Sequence, residues 1–296
     1  MSLSGGNGVH VAVRIVTDST ADLPTDVAEG LGISVVPLNI HVGEDTFQDG
    51  VTISMDGFYN LLTSGHILPK TSAPSSGSFI ETYERLARET DEILSIHIST
   101  KLSATHASAL VAKQGVEAPC RIELVDSLSA SIGLGLLVVQ AATLAQQGLR
   151  LDAILQATRA AIPRTHFLGV LDTLEYLHKG GRIGRAAMFL GSMLNVKPIL
   201  CLRDGVAHPV ERVRGREQGL QRLCELVGAY KAISYLAVAH TTDDSEMERL
   251  AARLSQFFPE PRILRARCGA TLGTYLGPGA LCVALIEAAP DANDKH

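Results

Sequence analysis

A run of alternating apolar residues that passes directly into an alanine-rich segment constrains the fold of this chain more than any other feature. The run covers residues 92–112, EILSIHISTKLSATHASALVA. Its first half places Leu94, Ile96 and Ile98 at alternate positions, which is typical of a β-strand, whereas its second half favours a helix. Small hydroxyl residues lie at the junction. The segment therefore predicts a strand, a turn and a helix.

The junction suits an anion, because the first amide groups of a helix have no partner within that helix. Its side chains are hydroxyls and one cation, from Ser99, Thr100, Lys101, Ser103 and Thr105. The alternative is that Ser103 only caps the helix, since serine is among the commonest N-cap residues. The segment by itself leaves both interpretations open.

Composition limits the classes of protein to which this chain can belong. With 296 residues, 46% of them hydrophobic, and a net charge of −5, it suggests one large or two ordinary domains and no nucleic-acid partner. The longest apolar run, 132–145, is shorter than the ~20 residues of a membrane span and predicts a buried helix. Five scattered cysteines without a Cys-x-x-Cys pair indicate reduced thiols in a cytoplasmic protein.

The first half of the chain alternates strands with helices, which predicts an open parallel sheet covered by helices. The predicted strands are 11–17, 34–40, 93–98 and 121–125, and the predicted helices are 22–30, 54–62, 80–87, 131–147 and 151–161. A loop rich in proline, serine and glycine, 68–79, precedes the third helix. We assign 11–162 to an N-terminal α/β domain. Residues 1–10, which lack the regions of a secretion signal, are expected to form a disordered tail.

The pattern changes near Pro163. Arg203-Asp204-Gly205 is a hairpin signal between two apolar runs, which indicates antiparallel pairing. The predicted strands are 166–170, 196–202, 206–213, 235–240, 263–267 and 280–286, the predicted helices are 188–195, 218–229 and 246–257, and 269–279 is expected to be a loop. We therefore expect a C-terminal α+β domain with a mixed or antiparallel sheet over 163–288, followed by a disordered tail over 289–296.

Several common functional motifs are absent from the sequence. It has no Gly-x-x-x-x-Gly-Lys-Ser/Thr phosphate loop, no Gly-x-Gly-x-x-Gly between a strand and a helix, and no Gly-x-Ser-x-Gly nucleophile elbow. The ten histidines fall singly, without a His-x-x-x-His pair. A metal site needs three or four clustered ligands, so none is expected.

Four loops of the first half follow predicted strands and are rich in hydroxyl groups. They are 17–19, 70–75, 99–105 and 125–127. The carboxyl ends of parallel strands gather at one edge of an open sheet, so these loops could share one crevice. Ser19, Thr71 and Ser103 would then lie close together.

These loops, with 178–182 and 277–279 from the second half, make the chain resemble the DegV family of fatty-acid-binding proteins. Some members of that family are the lipid-carrying subunits of fatty acid kinases. The matching motifs are TDS-x-x-DL at 17–23, KTS-x-PS at 70–75, KLS-x-T at 101–105, VDS at 125–127 and L-x-x-L-x-KGGRI at 174–183. One departure is Tyr275, which stands where the family pattern usually has histidine in Gly-x-His-x-Gly-Pro-Gly.

The resemblance implies a two-domain protein with one long-chain fatty acid in a tunnel between the domains. Thr71, Ser72 and Ser103 would bind the carboxylate. Further candidates near it are Ser19, Lys101, Thr105, Arg182 and Tyr275. A separate fatty acid kinase would be the partner, and no cofactor is expected besides the bound fatty acid. Charge and apolar run length predict no nucleic-acid partner and no transmembrane segment, and they leave transient membrane contact possible.

Three alternatives remain at this stage. The chain could be a small-molecule hydrolase or transferase with Ser103 as nucleophile, and His106 would then be its only nearby base. Thr71 could simply stabilise a turn that contains proline. Arg182 could be an ordinary basic residue beside a helix that ends at glycine. We favour a binding protein that is not itself an enzyme.

Overall fold

The computed structural model describes residues 13–64, 68–191 and 196–289. The strands are β1 Arg14–Asp18, β2 Ile33–Val36, β3 Asn39–Val42, β4 Asp45–Gln48, β5 Lys70–Ser72, β6 Glu92–His97, β7 Arg121–Asp126, β8 Thr165–Val170, β9 Lys197–Arg203, β10 Val206–Val213, β11 Ile233–His240, β12 Leu264–Arg267 and β13 Leu281–Glu287. The helices are α1 Thr25–Gly30, α2 Met55–Ser64, α3 Ser76–Ala87, α4 Thr105–Gly115, α5 Ser131–Gln146, α6 Leu151–Ala161, α7 Glu175–Lys179, α8 Arg216–Val227, α9 Asp244–Leu254 and α10 Ala270–Leu276.

The first sheet has four parallel strands in the order β2-β1-β6-β7. Its central strands carry nearly continuous buried apolar residues, because helices cover both faces of a parallel sheet. Ile93, Leu94 and Ile96 of β6 are fully buried. The prediction of an open parallel sheet, and of a strand that passes into α4, is confirmed.

The second sheet has six strands in the order β10-β9-β8-β13-β11-β12. All neighbouring strands are antiparallel except β11 and β12, which are parallel. Asp204 and Gly205 both have positive φ, of 51° and 78°, as a two-residue hairpin turn requires. The predicted mixed sheet is therefore confirmed, together with its hairpin.

Helix α5 packs between the two large sheets. Leu134 and Val138 join the apolar cluster of the first sheet, whereas Ile132, Leu136 and Leu137 join a cluster of the second. A helix that is apolar on all sides is stable only when it is buried on all sides. The predicted buried helix is confirmed, and the predicted domain boundary at 163 stays a prediction. Across the described ranges, no helix is both long enough and apolar enough to cross a membrane.

The predicted single strand at 34–40 is wrong. The chain forms β2 there, turns at Pro37, and then enters β3, which belongs to a separate three-stranded antiparallel sheet of order β4-β3-β5. Proline has no backbone N–H and ends regular strand pairing at this point. The predicted loop at 68–79 likewise contains β5, and it ends early because α3 begins at Ser76.

Three predicted elements near glycine-rich segments also need correction. The predicted loop at 269–279 contains α10. The predicted helix at 22–30 is shorter, because α1 begins only at Thr25, and a separate 3₁₀ turn at Ser19–Ala21 precedes it. The predicted helix at 188–195 overlaps a 3₁₀ segment, Gly184–Phe189, and its residues 192–195 lie outside the described residues. The predicted tails, 1–10 and 289–296, also lie outside them, apart from residue 289.

Candidate functional site

A cavity of about 200 Å³ lies between the elements of the two large sheets. Its walls come from β5, the starts of α4 and α5, strands β8 and β9, and α10. The apolar lining is Leu38, Ala73, Ile98, Leu102, Ala104, Ala130, Phe167, Leu171, Leu177, Leu200, Leu202, Ala207, Leu272 and Leu276. A cavity with this lining favours a ligand that is largely apolar.

Three polar side chains that line the cavity form one connected group, and Ser103 lies next to it along the chain. The Thr71 Oγ1 and Tyr275 hydroxyl oxygens are 2.6 Å apart, which is hydrogen-bonding distance. The Arg182 guanidinium carbon lies 5.1 Å from the centre of the Tyr275 ring. Arg182 Nε donates to the carbonyl of Leu102, 3.2 Å away and directly before Ser103 in the chain. Tyr275 thus contacts both Thr71 and Arg182, Ser103 follows the residue that Arg182 binds, and we call these four residues the head-group cluster.

Strand β5 positions Thr71 by pairing it with Ile40 of β3. Successive side chains of a strand point to opposite faces, so Thr71 faces Tyr275 while Ser72 takes other partners. Ser72 Oγ lies 3.0 Å from His41 Nε2. Both residues line the cavity, but Thr71 is half-buried and Ser72 is exposed. Thr71 therefore has the closer relation to the head-group cluster.

Ser103 lies in the turn between β6 and α4. Its Oγ accepts a hydrogen bond from Thr105 N at 3.3 Å and lies 2.8 Å from Thr105 Oγ1. The N-cap residue of α4 is Ala104, not Ser103. Thr105 is fully buried behind Ser103, so it supports Ser103 and does not itself line the cavity. With Thr105 as donor, the Ser103 hydroxyl is free to donate to a ligand.

Glycines in the second half allow the Tyr275 ring to reach this position. A Cβ atom on Gly180 would lie 2.4 Å from the Tyr275 ring. Arg182 Nη1 donates to the Gly180 carbonyl at 2.8 Å, so the same turn also fixes the guanidinium. In the Lys179-Gly180-Gly181-Arg182 motif, Gly180 thus leaves room for the Tyr275 ring, and Arg182 contacts that ring. Lys179 instead pairs with Glu175 on the exposed side of α7.

Two of the four loops predicted to share a crevice line the cavity, and two do not. Ser19 Oγ donates to Asp49 at 3.0 Å and lines a neighbouring groove. The loop at 125–127 does not line the cavity, and its Asp126 accepts a hydrogen bond from Thr100 at 2.6 Å. Lys101 is exposed and does not line the cavity. The sheet edge brings these loops to the same side of the molecule but not into one crevice.

A pair of buried carboxyl groups beside the cavity was missed from the sequence. Asp22 accepts hydrogen bonds from Ser131 Oγ at 2.6 Å and from Gly269 N at 2.9 Å. Asp49 accepts from Ala270 N at 2.9 Å. Burial, together with the smaller effect of the Asp49 charge, raises the pKa of Asp22 to about 7; burial also raises the pKa of Asp49. In the sequence, the only indication of this carboxyl pair was the TDS-x-x-DL motif, which contains Asp22.

A Ser–His–Asp arrangement was also missed, and it lies inside the first sheet. His97 Nδ1 is 2.9 Å from Asp18 Oδ2, and His97 Nε2 is 2.7 Å from Ser95 Oγ. Ser95 Oγ also contacts the Tyr83 hydroxyl, at 2.8 Å. Neither Ser95 nor His97 lines the cavity, and both are fully buried. A substrate has no access to this serine.

The structure gives little support to the alternative in which the chain is an enzyme with Ser103 as its nucleophile. In the part of the chain that is described, no hydrogen bond joins Ser103 to His106. Partial burial lowers the pKa of His106, and the nearby His97 lowers it further. Among the same residues, no group of three or more His, Cys, Asp or Glu side chains is arranged to hold a metal ion.

Comparison with known proteins relates the whole described chain to one family. The model of the DegV family, described as uncharacterised protein, matches residues 12–288. A DegV domain-containing protein of Deinococcus radiodurans is 35% identical over 281 residues, which cover 93% of this chain and 98% of that protein.

Two solved structures share the fold. One, a DegV family protein from Thermus thermophilus described by its fatty acid binding, is 32% identical with a TM-score of 0.87, and the match covers 94% of this chain and 100% of that one. The other, DegV of Bacillus subtilis, described as a fatty acid binding protein, is 30% identical with a TM-score of 0.84 over the same shares.

Proposed function

Because this chain belongs to the DegV family, we propose that it binds one long-chain fatty acid in the cavity between its two large sheets. The observation that carries the proposal is the pairing of an apolar cavity with a single cluster of hydroxyl groups and one guanidinium. The fatty acid binding described for the relatives from Thermus thermophilus and Bacillus subtilis supports it. The proposed carboxylate ligands are Thr71, Ser72 and Ser103.

The chemistry of the head-group cluster suits a carboxylate. An ionised carboxylate only accepts hydrogen bonds, and the Ser103 and Thr71 hydroxyls can donate to it. Helix α4 begins at Thr105, so its first amide groups lie beside Ser103 and carry a partial positive charge. Arg182 adds a full positive charge at the Tyr275 ring. The cluster thus stabilises an anion without a metal ion.

The apolar lining accounts for most of the proposed affinity. Burial of each methylene contributes about 0.8 kcal/mol, so a sixteen-carbon tail contributes roughly 10 kcal/mol before ordering costs. A hydrogen bond to the charged head adds about 1.5–3 kcal/mol. The tail therefore sets the strength of binding, and the head-group cluster sets the position of the carboxylate.

We further propose that the chain presents the bound carboxylate to a separate kinase, which forms an acyl phosphate. The sequence contains no phosphate loop, so the nucleotide would be bound by the partner. Arg182 is half-buried beside the head-group cluster, and a cation near the carboxylate can stabilise an incoming phosphoryl group. The partner would meet the chain where Arg182 reaches the surface.

Native mass spectrometry of the purified protein tests fatty acid binding directly. We expect a mass increment of one long-chain fatty acid, identified by lipid extraction, and reloading of stripped protein with palmitate. A Thr71→Val/Ser103→Ala double variant should retain its fold but hold less lipid. A stripped protein that takes up no palmitate, or a protein that hydrolyses p-nitrophenyl palmitate with turnover, would contradict the proposal.

A further inference from the structure

Two buried carboxyl groups hold the first turn of α10 against other parts of the chain. Asp22, at the end of the turn after β1, binds Gly269 N and the Ser131 hydroxyl at the start of α5. Asp49, after β4, binds the amide groups of the next two residues of α10 at 2.9 and 3.2 Å. Asp22 and Asp49 thus tie the start of α10 to three other segments, which are the turn after β1, the segment after β4 and the start of α5. We call these two residues the carboxyl latch.

The carboxyl latch lies directly behind one wall of the cavity. Leu272, Tyr275 and Leu276 of α10 line the cavity, and so does Ser131. Near the other end of α10, the contact between Tyr275 and Thr71 joins the helix to β5. Because α10 has only seven residues, it depends on these end contacts for stability. A loosened latch would therefore open the cavity along α10.

We propose that the carboxyl latch is a pH-sensitive closure of the cavity: ionisation of Asp22 beside Asp49 loosens α10 and speeds the exchange of bound fatty acid. The exchange part of this inference rests on the proposed function. The loosening of α10 does not, because it concerns contacts within the chain.

The charges around Asp22 do not compensate its ionisation. Within the described ranges neither latch residue forms an ion pair with a lysine, arginine or histidine. The titratable and charged groups that face Asp22 from the surrounding elements are Asp49, Cys268 with its neighbour Cys282, Tyr59 with Arg267 above its ring, and Asp18 and Glu29 along the adjoining groove. Arg267 is itself engaged by Asp56 at 2.7 Å.

The direction of the pH effect follows from the pKa of Asp22 in the closed and the open forms. Burial raises the pKa of Asp22 to about 7 in the closed form, whereas an exposed aspartate titrates near 3.9. Between these values the open form binds fewer protons, so opening becomes more favourable as the pH rises from about 4 to about 7 and then levels off. Full exposure would raise the opening constant by about tenfold per pH unit in that window.

Hydrogen exchange of the empty protein tests the latch without any ligand. The readout is the exchange of the α10 amides between pH 5.5 and 7.5, after correction for intrinsic rates. We expect opening of α10 to increase about twentyfold to thirtyfold in the native protein and to stay low and flat in Asp22→Asn. Asparagine keeps an acceptor for Gly269 N and tolerates the left-handed backbone, with φ 49°, at this position.

The matched control is Asp26→Asn, an exposed aspartate on α1 that makes no latch contact. It should retain the native pH profile. A flat native profile, or an equal rise in Asp22→Asn, would overturn the inference. Should Asp22→Asn fail to fold, Ser131→Ala decides the matter: the Ser131 hydrogen bond lowers the pKa of Asp22, so its loss should move the midpoint to higher pH.

Release of cis-parinaric acid into acceptor vesicles tests the effect on the cavity. We expect release to quicken with pH in the native protein and to change much less in Asp22→Asn. Ionisation of the ligand itself is common to both proteins, so only the difference between them reports on the latch. If cis-parinaric acid binds to neither protein, the proposed function fails while hydrogen exchange still decides whether the latch exists.

Discussion

Two clusters of hydroxyl groups in this protein differ in what completes them. Ser95 is enclosed by His97 on one side and Tyr83 on the other, at 2.7 and 2.8 Å. Ser103 and Thr71 are held by one neighbour each, and the cavity lies on their other side. The first cluster contains the Ser, His and Asp side chains of a hydrolase triad, whereas the second contains no side chain that could act as a base.

The difference shows that access, more than residue type, separates a binding site from a structural network. A buried polar group costs free energy unless it is hydrogen-bonded. Each member of the Ser95 cluster is hydrogen-bonded. Such a network stabilises one arrangement of β1 and β6. In the head-group cluster, a ligand can supply the missing acceptor. The predictions below test that contrast, beginning with the largest expected effect.

Replacement of His97 should cost stability and leave the chemistry of the cavity unchanged. His97→Ala removes one hydrogen-bond partner from the buried Asp18 carboxylate and one from the buried Ser95 hydroxyl and leaves a cavity, so we expect the free energy of unfolding to fall by about 3–5 kcal/mol. Urea denaturation measures it. The control is His106→Ala on α4, which should change stability by no more than about 0.5 kcal/mol. Equal effects of the two substitutions would show that the Ser95 cluster is not a stabilising network.

Removal of a hydroxyl from the head-group cluster should have the opposite signature. Ser103→Ala and Thr71→Val should each weaken fatty acid binding by about 1–3 kcal/mol, because each removes a donor to a charged acceptor, and should leave the fold intact. Isothermal titration with palmitate gives the affinities. Thr25→Val, on the exposed face of α1, is the control. Unchanged affinity in both variants, with folding confirmed, would remove these residues from the site.

Tyr275 sharpens the comparison, because it offers a neutral hydroxyl where a histidine could carry charge near neutral pH. We expect Tyr275→His to keep fatty acid affinity and to raise acyl phosphate formation by the partner kinase by about tenfold. Tyr275→Phe is the control, since it keeps the ring against Arg182 but loses the hydroxyl. If the native protein is already phosphorylated as fast as the histidine variant, Tyr275 has no role in transfer.

Arg182 tests whether charge beside the head-group cluster serves the ligand or the partner. Arg182→Ala should leave fatty acid affinity nearly unchanged and slow acyl phosphate formation by about threefold to tenfold, because a charge at a partner surface acts mainly on encounter and register. Lys179→Ala, one turn away and paired with Glu175, is the basic control. A collapse of lipid affinity would instead assign Arg182 to the carboxylate site.

Lys101 should have the smallest effect. It is exposed and does not line the cavity, so Lys101→Ala should change fatty acid affinity by less than about 0.5 kcal/mol in the same titration. A larger loss would mean that the cavity extends past Ser103 when the ligand is bound.

The sequence by itself determined the elements whose patterns are strong over short distances. The alternation in β6, the small residues that open α4, and the uniformly apolar α5 each require one kind of environment, and each is found in it. The parallel first sheet and the mixed second sheet follow from the order of such elements. The residues Thr71 and Ser103 were found through motifs, and the structure places both at one cavity.

Tertiary structure decided whatever depends on partners distant in the chain. Helix α10 is short and glycine-containing, and it is capped by Asp49, which lies 221 positions before Ala270. Ser19 donates to Asp49 and does not line the cavity, although the resemblance made it a candidate near the carboxylate. A local pattern indicates which face of an element is buried. The hydrogen-bond partner of a buried polar side chain depends instead on which residues the assembled fold brings close to it. For that reason the sequence pointed to the hydroxyl groups of the candidate site, and only the fold decided which of them meet.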